Sequence, residues 1–244
     1  MEKIENSTES TGYIEKYGIE MVFVEGGTFM MGATSEQDAD CNDEKPVHQV
    51  TVNSFYIGKY PITQEQWWAV MEDNPSYFEG ENLPVEMVNW DDVQKFIRIL
   101  NAKTDKQYRL PTEAEWEFAA RGGNKSKRYK YSGSDSIADV AWYEDNSDDK
   151  TQPVGAKAPN ELGIYDMSGN VWEWCNDWFG EYSASVQINP KGPKSGSGRV
   201  LRGGGWSSRA RGCRVAHRII LTPGLRYSRP GLRLLIEDTH QMNS

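Results

Sequence analysis

The chain has 244 residues, 37% hydrophobic and 26% charged, enough to bury a core in one large domain or two small ones. Its formal net charge of -9 argues against a nucleic-acid partner, and no apolar stretch is long enough to span a membrane. Three cysteines (Cys41, Cys175, Cys213) cannot all pair, and three scattered histidines (His48, His217, His240) give little material for a zinc centre, an iron facial triad or a hydrolase triad.

Residues 1–20 read as a polar lead-in, disordered by composition, with no signal-peptide core. Residues 21–29 alternate in polarity and meet Gly26-Gly27, the pattern of a hairpin. Residues 33–43 are acidic and apolar-poor, hence loop. Residues 47–56 alternate again and read as one strand. Thr63 opens a helix with Gln66 as its capping-box partner and Trp67, Val70 and Met71 on one face. A second helix runs from Trp90 to Asn101, with Val93, Phe96, Ile97 and Leu100 at helical spacing. A third covers 112–120, capped by Thr112 and Glu115. Beyond Gly122 helical periodicity stops, and strand-like pieces stand at 165–174, 199–206 and 232–236. Helices first and short strands later give an α+β, loop-rich single domain over 21–237 and a tail at 238–244. A loop-rich interior must satisfy its peptide groups with polar side chains. Arg109, Glu113, Glu115, Asn170 and Glu173 stand among aromatics and are expected to pair structurally.

Several blocks then line up. Residues 109–123 read RLPTEAEWEFAARGG, residues 163–174 read GIYDMSGNVWEW after Val154-Gly155 and Asn160, and residues 199–206 read RVLRGGGW. Earlier pieces are GGTFMMG at 26–32, KYPIT at 59–63 and PVEMVNWDD at 84–92. Together they resemble the formylglycine-generating-enzyme, or sulfatase-modifying-factor, family from about Val22 to Leu234. The resemblance implies a C-type-lectin-like α+β fold. It also implies two cysteines near the C-terminus in catalytic members. Here Cys213 matches the later position and Ser208 falls at the earlier one. A hydroxyl makes neither a soft-metal ligand nor a disulfide, so no catalytic residue is expected. Cys213, alternating with Val215, reads as a small buried hydrophobe, and so does Cys175. The resemblance further implies a structural calcium ion on Asp166, the backbone of Gly169 and Val171, and Glu173; no other cofactor is expected. A second calcium position, near 140–142, lacks an oxygen side chain.

The C-terminal segment differs from the rest. Nine of the 27 basic residues fall within 199–234, and all 36 acidic ones lie elsewhere. Arg202, Arg214, Arg218, Arg226 and Arg233 match recurrent family positions and read as framework. The frame Trp206, Ala210, Cys213, Arg214, Val215, Ala216, Arg218, Pro223, Arg226, Gly231 and Arg233 resembles that of variable proteins of diversity-generating retroelements, departing at Gly205 and Leu232. This implies a non-catalytic binding protein with a variable ligand-binding region over 205–234. It also implies a protein ligand, no nucleic acid, a monomer, and an exported or cell-surface location. The contact set is Ser208, Arg209, Arg211, His217, Ile219, Ile220, Leu221, Leu225, Tyr227, Ser228 and Arg229. These should lie outward on one face while the frame is buried, because volume changes in a core cost about 1–5 kcal/mol. A fixed-specificity binder of protein or sugar, and an active oxidase or other enzyme of the family, stay open as alternatives.

Overall fold

Three capping boxes start the three main helices. Thr63, Asn89 and Thr112 each accept the backbone N–H three residues on, and Gln66, Asp92 and Glu115 reach back to the cap amide. A computed structural model describes residues 13–14, 16–37 and 41–238. In chain order the elements are β1 (Tyr13–Ile14), β2 (Glu20–Val24), β3 (Gly27–Met31), β4 (His48–Val52), β5 (Phe55–Gly58), α1 (Gln64–Met71), α2 (Trp90–Thr104), α3 (Glu113–Ala120) and α4 (Ile137–Val140). There follow β6 (Trp172–Trp178), β7 (Gln187–Ile188), β8 (Arg199–Arg202), β9 (Arg218–Leu221), β10 (Pro230–Gly231) and β11 (Leu235–Glu237). They make three sheets, ordered β1-β2-β5-β11, β10-β6-β8-β9 and β3-β4-β7.

The helices follow their periodicity. Val93, Phe96, Ile97 and Leu100 of α2 are buried, and Phe96 stacks on Trp67 of α1 at 4.8 Å. The strands required corrections. The hairpin expected at Gly26-Gly27 does not form, because β2 pairs with β5 while β3 pairs with β4. Gly26 instead lets the chain pass close to 52–54: a Cβ there would lie 2.7 Å from that backbone. The strand expected over 47–56 is split at Asn53-Ser54, where the chain leaves one sheet for another. The strand expected from Tyr165 begins only at Trp172, since Asp166, Gly169 and Asn170 hold left-handed φ of 57°, 82° and 62°. The lead-in expected over 1–20 already joins the fold at Tyr13, as β1 pairs with β2. The rest of that lead-in, 1–12 and 15, and most of the tail, 239–244, lie outside the described residues.

A buried charge lattice joins α3 to the second sheet. Glu173, Arg202 and Arg218 stand in register across β6, β8 and β9. Arg202 donates to Glu113 at 3.1 Å and to Glu117, and Arg218 donates to both oxygens of Glu113 at 2.7 and 2.6 Å. Glu173 takes Arg233 at 2.7 Å and Trp116 Nε1 at 2.7 Å. Arg214 forks onto Glu44 at 2.8 and 2.7 Å, and Arg121 reaches Glu117 at 2.9 Å. The same guanidinium groups donate to loop carbonyls of Val215, Ala216, Asp43, Gly180 and Tyr165 and to Gly58 at the end of β5. They therefore supply donors that regular structure would otherwise provide. Arg109, expected to pair, forks onto Glu115, and Asn170 bridges both backbone groups of Gln152.

These pairs set two predictions. Glu173→Ala strands the Arg233 guanidinium in the interior and is expected to cost about 3–5 kcal/mol in denaturant unfolding. Arg226→Ala breaks only the surface pair with Asp92 and is expected to cost about 0–1 kcal/mol. A second device is Asp177, which is buried and accepts the Glu113 amide at 2.9 Å. Burial first, and the Glu113 charge next, push its carboxyl up to about 8. The folded chain thus keeps a proton that the unfolded chain releases near pH 4. This group's contribution to stability is full below about pH 4 and falls as pH rises to about 8. The melting temperature of Asp177→Asn, measured against wild type, should therefore gain steadily across that window and level off above it.

Candidate functional site

Alternation along the strands gives the second sheet two unlike faces. Glu173, Arg202 and Arg218 face α3. On the other face Leu201 partners Trp174 on one side and Ile219 on the other, and Trp172 and Leu221 continue the same rows. This apolar floor lies open as a groove of about 650 Å³. One wall is the segment 207–212, with a 3-10 turn at Ala210–Cys213; the other carries Tyr227, Arg229 and Pro230. Gly204 pins the first wall: its φ is 77°, and a Cβ there would meet Cys213 Sγ at 2.7 Å.

None of the eleven candidate contact residues is buried. Eight of them line the groove, namely Ser208, Arg209, Arg211, His217, Ile219, Leu221, Tyr227 and Arg229. The expectation of a single face needs correction at Ile220, which is exposed but points to the opposite side of β9, toward Gly198. Leu225 and Ser228 sit on the adjoining turn outside the lining, and the Ser228 carbonyl accepts Trp206 Nε1 at 2.7 Å. Of the frame, Cys213, Arg214, Val215, Ala216, Arg218, Gly231 and Arg233 are buried, whereas Trp206, Ala210 and Pro223 are half-buried. Arg226 departs from the buried frame: it is exposed and held by Asp92 at 2.7 Å. The floor residues Trp172 and Leu201, and Cys41 at the edge, were missed by sequence reasoning. Strand register brings Trp172 and Leu201 beside the C-terminal segment; Cys41 is carried there by a loop, with no local signal.

No thiol is poised for chemistry. Cys213 is fully buried, and burial, then the Glu144 charge, push it up to about 12. Burial drives Cys175 well above the usual thiol range. Cys41 is half-exposed and is raised by burial first, then by Glu44 and Asp43. All three thus favour the protonated, unreactive form. Ser208 Oγ accepts the Gly205 amide at 2.9 Å. Cys41, Glu44 and His217 come within 4.8 Å of one another, but Arg214 occupies both oxygens of Glu44.

The two carboxylates expected to hold calcium are likewise engaged. Glu173 is held by Arg233 and Trp116, as above, and Asp166 accepts the Gly155 amide at 2.7 Å. Burial pushes Asp166 up to about 6. Near the second position, the Trp142 carbonyl accepts the Asn170 amide and the Ala141 carbonyl accepts Asn146. A guanidinium already supplies the positive charge at Glu173, and the donor set fits calcium poorly. Thermal unfolding with excess calcium and with a chelator is expected to give the same melting temperature; a calcium-dependent rise would reinstate the ion.

The model for the sulfatase-modifying factor enzyme 1-like domain matches residues 14–238. The chain is 38% identical over 239 residues to the chaperone protein LppX of Paenibacillus barcinonensis, covering 78% of this chain and 79% of that one. It is 29% identical over 287 residues to the formylglycine-generating enzyme of Thermomonospora curvata, covering 87% and 92%. Among solved structures, Treponema denticola variable protein 1 superimposes with a TM-score of 0.84 at 33% identity, covering 93% of this chain and 99% of that one.

Proposed function

Because the chain belongs to the sulfatase-modifying factor enzyme 1-like family, we propose that it is a non-catalytic member that binds a ligand in the groove on the second sheet. The fold is the C-type-lectin-like arrangement that this family shares with the Treponema variable protein. One observation carries the reading. Side chains at the interleaved positions of 208–229 reach solvent, and eight of them converge on one groove, while most of the frame between them is buried. That division lets the contact chemistry change without changing core volume. The likeness to a variable protein supports the same division of labour.

A second reading, oxidation of a cysteine in a client polypeptide, draws support from relatives named as formylglycine-generating enzymes. The three thiols, two of them sealed in the interior, weigh against it, as does Ser208 at the position where the family resemblance requires a second cysteine. With copper and a cysteine-containing sulfatase-type peptide, the protein should leave the peptide mass unchanged. A loss of mass at the peptide cysteine, abolished by Cys213→Ala, would falsify the non-catalytic reading.

The division between frame and contact positions is testable through stability. Tyr227→Ala and Ile219→Ser are expected to shift unfolding by about 1 kcal/mol or less, whereas Val215→Ser in the frame should cost roughly 2 kcal/mol or more. Sequencing the locus in independent isolates gives the matching genetic readout. Substitutions should concentrate in the groove codons, with a near-copy of the 206–234 segment beside a reverse transcriptase. Equal variation in frame and groove codons would leave a fixed-specificity binder as the better account.

A further inference from the structure

Resting on the binding-protein reading, we propose that the groove takes an extended acidic polypeptide segment, anchored by one apolar or aromatic side chain. The charge distribution is the first ground. Arg209 and Arg211 stand on one wall and Arg229 on the other, and among the described residues the lining contains no Asp or Glu. Of the six other arginines in the C-terminal segment, Arg199 lies between the Trp90 and Trp178 rings and five are committed to carboxylates. Arg202, Arg214, Arg218 and Arg233 are buried on carboxylates, and Arg226 is forked onto Asp92. Arg209 by contrast has a side chain 73% exposed and faces only Glu144, at 4.0 Å. Three guanidinium groups with little internal neutralisation, on a chain of net charge -9, form a local field that selects carboxylates at close range.

The floor is the second ground. Trp172, Leu201, Ile219 and Leu221 present apolar surface between the arginines. An apolar floor rimmed by arginine matches an anchor side chain flanked by carboxylates, the usual anatomy of a protein hot spot. A polyanion that is charged along its whole length leaves this floor unused.

The third ground is the sheet edge. Among the described residues β9 pairs with β8 alone and ends its sheet. Ile219 and Leu221, whose side chains line the groove, thus belong to a strand with a free edge. An extended peptide can add there through its own backbone while its alternate side chains enter the groove. Neither a sulfated glycan nor a nucleic acid has the amides for that ladder.

The test is to pan a displayed random-peptide library against the full chain and measure the selected peptides by fluorescence anisotropy. Enrichment of Asp and Glu around Trp, Phe or Leu is expected. The charge-reversed variant carrying R209E, R211E and R229E should bind those peptides at least about tenfold more weakly. It should instead enrich peptides rich in Lys and Arg. All three side chains are exposed, and circular dichroism checks that the variant keeps its fold. N-methylation of alternate peptide amides should weaken binding by a similar factor if the peptide extends β9. Heparin and a single-stranded oligonucleotide serve as rival probes. Selection of neutral or basic peptides by the groove overturns the acidic partner and leaves the binding reading standing. So does tighter groove-dependent binding of either rival. If groove substitutions alter the binding of no probe, both the acidic partner and the binding reading fall.

Discussion

The fold depends on a set of buried guanidinium groups. Arg202, Arg214, Arg218 and Arg233 are nearly or wholly sealed from water, and each is matched by a carboxylate. An unpaired charge in such a place costs several kcal/mol, so the acidic partners are as constrained as the arginines. The arrangement does more than cancel charge. Each of the four also donates to one or more backbone carbonyls, at Arg211, Val215, Ala216, Asp43, Gly180 and Tyr165 and at Gly58 at the end of β5. Much of the chain between α3 and β11 is neither helix nor strand, and its peptide groups need such partners. Arginine suits the task because one planar fork can hold a carboxylate and a carbonyl together.

This lattice occupies one face of the β10-β6-β8-β9 sheet and leaves the other free. The consequence is a separation of duties within single strands. In β9, Arg218 is tied to Glu113 while its neighbour Ile219 looks into the groove. In β8, Arg202 is tied to α3 while Leu201 forms the groove floor. Changing a groove side chain on β8 or β9 therefore leaves the lattice intact, whereas His217, with Nδ1 3.0 Å from Glu44, touches it. The walls are held independently as well. Trp206 donates its indole N–H to the Ser228 carbonyl and so links the two walls directly. Phe78 packs edge-on against Trp206 at 5.4 Å, bracing it from a distant loop.

The same geometry accounts for the raised pKa of the two buried thiols. A thiol becomes a nucleophile or a soft-metal ligand when a nearby positive charge or an open polar setting favours the thiolate. Cys213 lies beneath the groove wall against Gly204, and Cys175 lies on β6 within the core. Both positions suit a small apolar side chain. The groove that sits above Cys213 is lined by arginines and apolar residues, a surface suited to recognition.

Local sequence was enough for the three main helices, the caps of α1 and α3, and the family, but not for the four-residue α4. A capping box sufficed for α1 and α3 and a 3.6-residue period for α2, because both act over neighbouring residues. The sequence also separated frame from interleaved positions in the C-terminal segment, and it marked Arg202, Arg214, Arg218, Arg226 and Arg233 as paired. Their partners came from packing between distant segments. Glu44 meets Arg214 across 170 residues, and Glu113 meets Arg218 across 105. Packing also decided strand pairing, which broke the expected hairpin at Gly26-Gly27 by sending β2 and β3 to different sheets. The face on which Ile220 falls, and the entry of Trp172, Leu201 and Cys41 into the groove, follow from register and loop path between distant segments. Periodicity along one strand cannot carry that information, since the pleat tells which residues share a face but not which neighbour covers it.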